Sequence, residues 1–334
     1  MYYSNKLDSL KDIFGTENIN IEPNSIEIGE YIFPIINDVI ILLDSDKYPM
    51  SVKSKFDMYS NKTNNKNLSE DFADDIQHTF GEEWKQYKEI LKEHEIEFNN
   101  YFDIVNINEL KNNRVCDLGC GIGRWAYYLK DRVREIILVD FSEAIFEARE
   151  NLKEAPNVLY FMADLKKLPF RRNFADFIYC VGVLHHLPTP ALDEVRQLAK
   201  YSPKLLVYLY YALDNRSRYF KFILFFVSII RSLLSRVQNH FVRLLLTEFL
   251  MWTTYIPLII LGKIVSLFGL GRFVPLFEGY SKNSLKRIRQ DVYDRFFTRI
   301  EQRFTRDEIY KLHDTFSEIK ISNKIPYWHF RCDV

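Results

Sequence analysis

The sequence predicts an α/β protein with a doubly wound, mostly parallel seven-stranded sheet, and three observations support this fold class. A glycine-rich stretch, Arg114-Val-Cys-Asp-Leu-Gly-Cys-Gly-Ile-Gly-Arg-Trp125, joins an apolar segment to a helical one. Strand-like and helix-like segments then alternate as far as residue 211. Aspartates stand at the ends of the second and third strand-like segments. This alternation is typical of parallel sheets that bind ligands at the carboxyl ends of their strands.

The composition of the 334-residue chain is that of a globular protein, with 47% apolar and 27% charged residues. This length favours one large domain with additions. The 45 basic and 45 acidic residues balance, which argues against a general nucleic-acid binder because such proteins are usually basic. Cys116, Cys120, Cys180 and Cys332 form no Cys-x-x-Cys pair. We therefore expect free thiols, no metal site and a reducing cytoplasm, and the N-terminus lacks the apolar run of a signal peptide.

Two additions are predicted ahead of the main domain. Residues 1–58 are predicted to form a β-rich cap over one edge of the sheet, with strands at Ser25–Ile28, Tyr31–Ile36 and Val39–Leu43. Residues 59–110 are predicted to be a polar loop to residue 70, followed by a helical extension from Asp71. Within the extension, Phe80 and Trp84 stand four residues apart. Two interpretations stay open: they cover the mouth of the main site, or they pack the helix on the core.

The main domain is predicted to comprise residues 111–211 and 301–334. Its strands are expected at Arg114–Leu118, Glu135–Val139, Val158–Met162, Phe174–Cys180 and Leu205–Tyr211. Its helices are expected at Arg124–Asp131, Ser142–Leu152 and Ala191–Lys200. In the tail, a capping-box pattern at Thr305-Arg-Asp-Glu308 precedes a predicted helix. The tail then ends in two predicted antiparallel strands, Glu318–Ser322 and Trp328–Cys332.

Residues 212–300 interrupt the alternation with a basic, aromatic insert. Residues 201–300 contain 15 Lys and Arg against 5 Asp and Glu, and helices are predicted at Tyr219–Val237, Phe241–Leu261 and Lys263–Phe273. The uncharged run Phe249–Gly262 contains Pro257 and is shorter than the roughly 20 apolar residues of a spanning helix, which disfavours a transmembrane segment. A lid, a dimer surface and a membrane-facing element stay open as interpretations.

The residues at the strand ends predict an adenosine-containing ligand. Gly119, Gly121 and Gly123 lack Cβ and let the backbone approach a ligand closely, and the helix that follows favours a polar group at its N-terminus. Asp140 ends the second strand, where an acid can hold both ribose hydroxyls. Asp164 follows the third strand, where an acid can accept from an adenine amine. The glycines and Asp140 also fit an NAD enzyme, and that alternative stays open.

Together these residues resemble the class I S-adenosylmethionine-dependent methyltransferases. Asp117-Leu-Gly-Cys-Gly-Ile-Gly123 matches their first motif, and Asp140 and Asp164 match the second and third acidic positions. Phe174–Pro188, with its His-His-Leu ending, matches the fourth-strand motif. One departure is Tyr201-Ser-Pro-Lys204, where relatives usually carry a Pro-Gly-Gly-like turn. The resemblance covers about residues 110–211 and implies a Rossmann-like methyltransferase fold that uses S-adenosyl-L-methionine.

The resemblance also implies roles for individual residues. Asp117 is expected to position the amino group of the methionine part, Asp140 to bind ribose, and Asp164 to bind the adenine amine. The alternative for these aspartates is an N-cap or a surface carboxylate. The expected cofactor-binding set is Asp117, Gly119, Cys120, Gly121, Gly123, Asp140, Phe141, Ala163, Asp164, Leu165, Val181 and Leu184.

Catalysis and acceptor contact have weaker signals in the sequence. His185 and His186 are candidate general bases for an oxygen or nitrogen acceptor, and the alternative is that they shape the strand-end loop. Trp84, Tyr210 and Tyr211 are candidate substrate contacts.

The predicted function is methyl transfer to a small-molecule or envelope- or lipid-linked acceptor, with O-methylation favoured over N or C. The predicted location is the cytoplasm, including the inner face of a membrane. Peripheral membrane contact through the insert and a homodimer are candidate interactions, and no nucleic-acid partner is expected. An NAD-dependent oxidoreductase and a non-catalytic binding protein of the same fold are the alternatives.

Overall fold

The computed structural model describes residues 1–49, 52–53, 73–324 and 328–334. These residues form two compact units: Met1–Tyr211 with Ile300–Val334, and Ala212–Arg299. The first unit contains the described parts of the predicted cap, helical extension and main domain, and the second spans the predicted insert apart from Ile300. The polar loop predicted at residues 59–70 and the start of the extension at Asp71 lie outside the described residues.

One mixed sheet forms the centre of the first unit. Its strands, among the described residues, are β1 (Ile19–Ile21), β2 (Ser25–Ile28), β3 (Tyr31–Ile36), β4 (Val39–Ile41), β5 (Arg114–Leu118), β6 (Glu135–Asp140), β7 (Val158–Met162), β8 (Phe177–Val181), β9 (Lys204–Tyr211), β10 (Arg303–Phe304), β11 (Glu318–Ile321) and β12 (Trp328–Asp333). Their spatial order is β1-β2-β3-β4-β7-β6-β5-β8-β9-β12-β11, and β10 pairs with β9.

The predicted doubly wound fold is confirmed in the stretch β7-β6-β5-β8-β9-β12-β11. Strands β5 to β8 are parallel and buried along their whole length, as expected when helices cover both faces of a sheet. Strand β12 runs antiparallel to both β9 and β11.

The N-terminal strands continue this sheet beyond the seven predicted strands. Strand β4 lies parallel to β7, with Ile40 opposite Phe161, and β1 to β3 follow as an antiparallel meander. The backbone N–H and C=O groups at the edge of β7, which the predicted seven-stranded sheet would leave unpaired, thereby form hydrogen bonds with β4.

The helices of the chain, among the described residues, are α1 (Leu7–Phe14), α2 (Asp74–Gln86), α3 (Glu93–Tyr101), α4 (Arg124–Leu129), α5 (Ala144–Asn151), α6 (Ala191–Leu198), α7 (Arg218–Leu234), α8 (His240–Leu250), α9 (Ile256–Ser266), α10 (Phe277–Tyr280), α11 (Leu285–Phe297) and α12 (Arg306–Tyr310). Helices α7 to α11 belong to the second unit. The capping box predicted ahead of α12 is present, with reciprocal hydrogen bonds between Thr305 and Glu308.

In the second unit, α8 and α9 form one continuous helical segment, His240–Ser266, joined by a π-helical turn at Met251–Tyr255. Among the described residues this segment of 27 residues alone is long and apolar enough to cross a membrane, judged by length and composition only. The argument from a short run broken by Pro257 therefore does not hold. Proline lacks an N–H for the helical ladder, and the wider π-helical turn directly before it shifts the hydrogen-bond register.

Lys6 is a buried lysine directly before α1. Its side chain is 8% exposed, and Nζ donates a hydrogen bond to the Val158 carbonyl at 2.9 Å. The ammonium also lies 3.2 Å from the centre of the Tyr2 ring. Burial, with the nearby Arg149 guanidinium as a second cause, lowers the pKa of Lys6 to about 7.

This pKa predicts that the free energy of unfolding rises with pH above neutrality. The folded-state pKa of about 7 lies below the ordinary 10.5, so the unfolded chain binds more protons between these values. At about 1.4 kcal/mol per pH unit, we expect a gain of about 2 kcal/mol between pH 7 and pH 9. Urea unfolding at several pH values measures it. Lys6→Met should flatten the dependence and Lys320→Met, at an exposed position, should not; equal slopes in all three proteins would contradict the assignment.

Candidate active site

A cleft opens to solvent at the carboxyl ends of β5 to β8. Strand β5 has β6 on one side and β8 on the other, so the cleft lies where the strand order reverses, the usual ligand position in such sheets. The predicted residues that line it are Trp84, Gly119, Cys120, Gly121, Asp140, Phe141, Ala163, Asp164, Leu165, Val181 and His186.

In the glycine turn after β5, Gly119 and Gly123 are required for different packing reasons. Gly119, Gly121 and Gly123 all have positive φ, at +76°, +53° and +74°, a region that other residues rarely adopt. A Cβ on Gly119 would lie 2.4 Å from a methyl carbon of Val183. A Cβ on Gly123 would lie 2.7 Å from a methyl carbon of Leu152. Gly119 is therefore needed at the cleft itself, whereas Gly123 is needed for packing against α5.

Asp140 is held in a defined orientation at the end of β6. Its Oδ2 accepts a hydrogen bond from the Gly121 N–H at 2.8 Å, and its Oδ1 accepts from the N–H and the hydroxyl of Ser142 at 2.8 and 2.7 Å. Burial raises the pKa of this carboxyl group, while the hydrogen bonds from Ser142 and Gly121 oppose that shift. The carboxylate thus connects the glycine turn to the next strand end.

Asp164 is both a helix N-cap and a residue of the cleft, so the two roles considered for it from the sequence are compatible. It is the N-cap of the short 3₁₀ helix Leu165–Lys167, and its Oδ1 accepts from the Lys166 N–H at 3.0 Å. It is also 5% exposed and lines the cleft. Capping therefore fixes the side chain without removing it from the candidate ligand site.

Asp117 lies within β5, is buried, and does not line the cleft. Neither of its carboxylate oxygens makes a hydrogen bond of good geometry with the described residues, although the Tyr179 hydroxyl lies close to the carboxyl group. Burial raises the pKa of Asp117 well above its ordinary value, and Tyr179 and the charge of Arg124 oppose that shift. A buried carboxyl group with so little hydrogen bonding is costly, and a cationic ligand group nearby would offset that cost. This feature fits a ligand that carries an ammonium group.

Aromatic side chains form part of the wall of the cleft. Phe80 and Trp84 of α2 line the cleft, and Trp84 also packs against Ile122 and Ala144. Both interpretations of this pair therefore hold at once. Arg124, which sequence reasoning missed, lines the cleft with its guanidinium 5.1 Å from the Trp84 ring and 4.4 Å from the Trp125 ring. Its position directly after the last glycine of the motif is the signal that could have found it.

The two histidines of the His-His-Leu motif have different surroundings. His186 lines the cleft, and its Nδ1 lies 2.7 Å from the Ile300 carbonyl oxygen. Because a carbonyl can only accept, we assign the proton of neutral His186 to Nδ1, which leaves Nε2 with a lone pair. His185 is fully buried and stacks on the Tyr210 ring at 4.0 Å. Burial, with His186 and Arg303 adding, lowers the pKa of His185 well below its ordinary value and keeps the ring neutral.

Tyr210 and Tyr211 point to opposite faces of the sheet because side chains alternate along a strand. Tyr210 contacts the rings of both histidines, whereas Tyr211 lies 6.4 Å from the Trp328 ring. The predicted site residues that do not line the cleft are Asp117, Gly123, Leu184, His185, Tyr210 and Tyr211. Asp117, Tyr210 and Tyr211 belong to strands, Gly123 directly precedes α4, and Leu184 and His185 are buried in the short 3₁₀ helix after β8. The spacing of residues in a motif does not show which of them reach the cleft.

Part of this chain is similar to known proteins. Residues 115–201 match the family model described as a methyltransferase domain. An uncharacterized protein of Methanocaldococcus jannaschii is 35% identical over 98 residues, which cover 29% of this chain and 40% of that protein. The 23S rRNA (uracil(1939)-C(5))-methyltransferase of Pseudomonas fluorescens is 34% identical over 100 residues, which cover 29% of this chain and 22% of that enzyme. The chain thus spans less than half the length of these curated relatives.

Among solved structures, the chain is similar to phosphoethanolamine N-methyltransferase 1 of Haemonchus contortus. The TM-score is 0.35 and the identity is 19%, over 40% of this chain and 31% of that chain. The family-model match, the strand order and the cleft together define a class I S-adenosylmethionine-dependent methyltransferase domain. The methyl donor of this domain class is S-adenosyl-L-methionine.

Proposed function

We propose that this protein transfers a methyl group from S-adenosyl-L-methionine to a small-molecule or lipid-linked acceptor. The observation that carries the proposal is the cleft at the ends of β5 to β8, where the glycine turn, Asp140 and Asp164 converge within the matched domain. The donor supplies an electrophilic methyl group on a positively charged sulfur. The residues of the chain bind and orient both molecules and exclude water, which is sufficient for most of the rate of an in-line displacement.

Several side chains at the cleft, and one buried below it, have proposed tasks that follow from their chemistry. Asp140 accepts from the ribose hydroxyls and Asp164 from the adenine amine, with Phe141 beside the adenine ring. The carboxyl group of Asp117, buried within β5, attracts the ammonium group of the methionine part by its charge. The guanidinium of Arg124, held between two indole rings, pairs with the carboxylate of that part.

His186 is the proposed general base, in preference to His185. Its Nε2 carries the lone pair because Nδ1 donates to the Ile300 carbonyl. A hydroxyl acceptor would lose its proton to Nε2 as its oxygen takes the methyl group, so charge and atoms balance. A nitrogen acceptor that carries a proton could use the same base, and we propose the hydroxyl acceptor as the first to test. The neutral, buried His185 and its stacking partner Tyr210 support the ring of His186.

Calorimetry with S-adenosyl-L-methionine and with NAD tests the donor, and incubation of the labelled donor with fractionated cell extract tests the transfer. We expect the methionine derivative to bind, NAD not to bind, and one fraction to yield a labelled product. Binding of NAD alone would favour the oxidoreductase. Donor binding without labelled product from any fraction would favour a non-catalytic binding protein.

His186→Asn is expected to slow label transfer by about 100-fold, the lower end of the usual contribution of a general base. The asparagine amide can still donate to the Ile300 carbonyl, so the loop is retained and only the base is removed. The measurement is the initial rate with the active extract fraction, with donor affinity determined by calorimetry. His185→Asn is the matched neighbour and should slow transfer much less; the reverse order would contradict the assignment of the base.

A further inference from the structure

Helix α7 of the second unit presents its apolar side chains outward. Phe222, Phe225, Phe226, Ile229 and Leu233 follow helical spacing along one face, and their exposed fractions are 66%, 62%, 49%, 47% and 62%. None of the residues of α7 is buried. In a globular protein such a stripe normally faces the core. The apolar face of α7 therefore points outward, where a globular protein in water normally presents polar side chains.

A second outward stripe runs along the continuous helix His240–Ser266. Phe241, Phe249, Trp252 and Ile264 on this stripe are 67%, 62%, 54% and 54% exposed. The opposite face is buried inside the second unit, with side chains at Thr247, Met251, Tyr255 and Ile259. One helix thus carries a packed face and an unpacked apolar face. Leu267 and Phe268, directly after its end, are 83% and 76% exposed.

Basic residues accompany these stripes, and acidic residues are nearly absent. Residues 212–299 contain 14 Lys and Arg against 5 Asp and Glu, and residues 215–247 contain no Asp or Glu. The cations exposed on or near the stripes include Arg218, Lys221, Arg236, Lys263 and Arg272. A surface that is both apolar and cationic complements an anionic lipid interface.

We propose that Ala212–Arg299 docks on an anionic lipid bilayer. The two apolar stripes enter the boundary between headgroups and acyl chains, and the flanking cations contact lipid phosphates. The total exposed apolar surface far exceeds the single scattered side chains that soluble monomers carry. This inference concerns a partner of the second unit and does not depend on the methyl-transfer proposal.

Charge favours a bilayer over a second copy of the chain as the occupant of these stripes. A second copy would bring two surfaces of equal positive charge together, which opposes self-association.

Ion pairs favour a helix that lies in the interface over one that spans the bilayer. Glu248 of His240–Ser266, with a partly exposed side chain, forms an ion pair with Arg289 of α11, and α11 carries a further ion pair, Arg287 with Asp291. A helix tied to such a charged neighbour lies along the interface rather than across the hydrocarbon.

Flotation of the full chain with lipid vesicles tests the proposal. We expect the protein to float with vesicles of equal phosphatidylglycerol and phosphatidylcholine. It should float at least about tenfold less with phosphatidylcholine alone, since each cation near an anionic surface contributes about 1 kcal/mol. Added salt should weaken binding by screening the phosphates. Absence of flotation with every composition would overturn the proposal.

Substitutions separate the apolar and the charged contributions. The double variant Phe222→Asp with Phe225→Asp should lose flotation by at least about tenfold, whereas Ile96→Asp, at a side chain 60% exposed in the first unit, should float like the unchanged protein. Arg218→Glu with Lys221→Glu should lose the preference for phosphatidylglycerol, and Lys320→Glu should keep it. Circular dichroism and donor calorimetry on each variant establish that the first unit is intact, so failure of docking is distinct from failure of methyl transfer.

The competing occupant, a second copy of the chain, has its own signature. We expect light scattering in lipid-free buffer to show no dimer of the unchanged protein that is lost in the double variant Phe222→Asp, Phe225→Asp. Such a dimer, or flotation of that variant equal to that of the unchanged protein, would overturn the proposal.

Discussion

Gly119→Ala is expected to lower the affinity for S-adenosyl-L-methionine by more than about 100-fold, a loss of about 2.7 kcal/mol. The backbone at Gly119 has a φ of +76°, which costs an alanine about 1–2 kcal/mol. The new Cβ would also lie 2.4 and 2.8 Å from the two methyl carbons of Val183. Relief of that clash must move either the glycine turn or the loop after β8, and both line the cleft. Calorimetry measures the affinity.

Gly29→Ala is the matched control for this variant. Gly29 has a similar φ of +62°, but a Cβ there would meet no atom within 4 Å. We expect a modest loss of stability from backbone strain and no change in donor affinity. The double variant Gly119→Ala, Val183→Ala removes the two shortest contacts, while a 3.1 Å contact with the Cβ of residue 183 and the backbone strain remain. Roughly tenfold of the affinity should therefore return. Donor binding by Gly119→Ala within threefold of the unchanged protein would refute the proposed position of the ligand.

Asp140→Asn is expected to have an effect of similar size on donor binding. The carboxylate accepts from the Gly121 N–H and from the N–H and hydroxyl of Ser142. An amide offers one acceptor oxygen, and its NH₂ group would face an N–H or O–H donor. Hydrogen bonds to a charged group contribute about 1.5–3 kcal/mol each, so loss of one bond, together with loss of the ribose acceptor, predicts a decrease of at least about 100-fold.

Ser142→Ala separates the two parts of that effect. It removes the hydroxyl donor to Asp140 but retains the carboxylate, so donor affinity should fall by about tenfold or less. Asp193→Asn is an exposed carboxylate remote from the cleft lining and should change nothing. Calorimetry with both S-adenosyl-L-methionine and NAD gives the comparison. An Asp140→Asn variant with unchanged donor affinity would show that the carboxylate only orders the turn.

Much of the fold and of the donor side of the site could be predicted from the sequence. The bounds of β5 and β7 and the first residue of α4 agree with the expected segments. Asp140 and Asp164 do lie at one cleft with the glycine turn. These features depend on local conformation and on the rule that parallel strands meet ligands at one edge. A short motif therefore carries enough information to place them.

Other features depended on contacts between residues distant in the chain. His185 and His186 are adjacent in sequence, yet only the carbonyl of Ile300 and the cleft distinguish their chemistry. The sequence likewise did not determine that β4 pairs with the edge of β7, because a short apolar strand does not specify which strand it pairs with.

The sequence by itself determined the class of the central domain and most of the predicted residues that line its cleft, because glycine conformation and strand-end position are local properties. The tertiary structure decided the rest. It extended the helix through Pro257, ordered the wall of Trp84 and Arg124, and turned the apolar stripe of α7 outward. Helical periodicity shows that a face is apolar, but only the packed structure shows whether protein covers that face, because burial depends on neighbours that the periodicity does not specify.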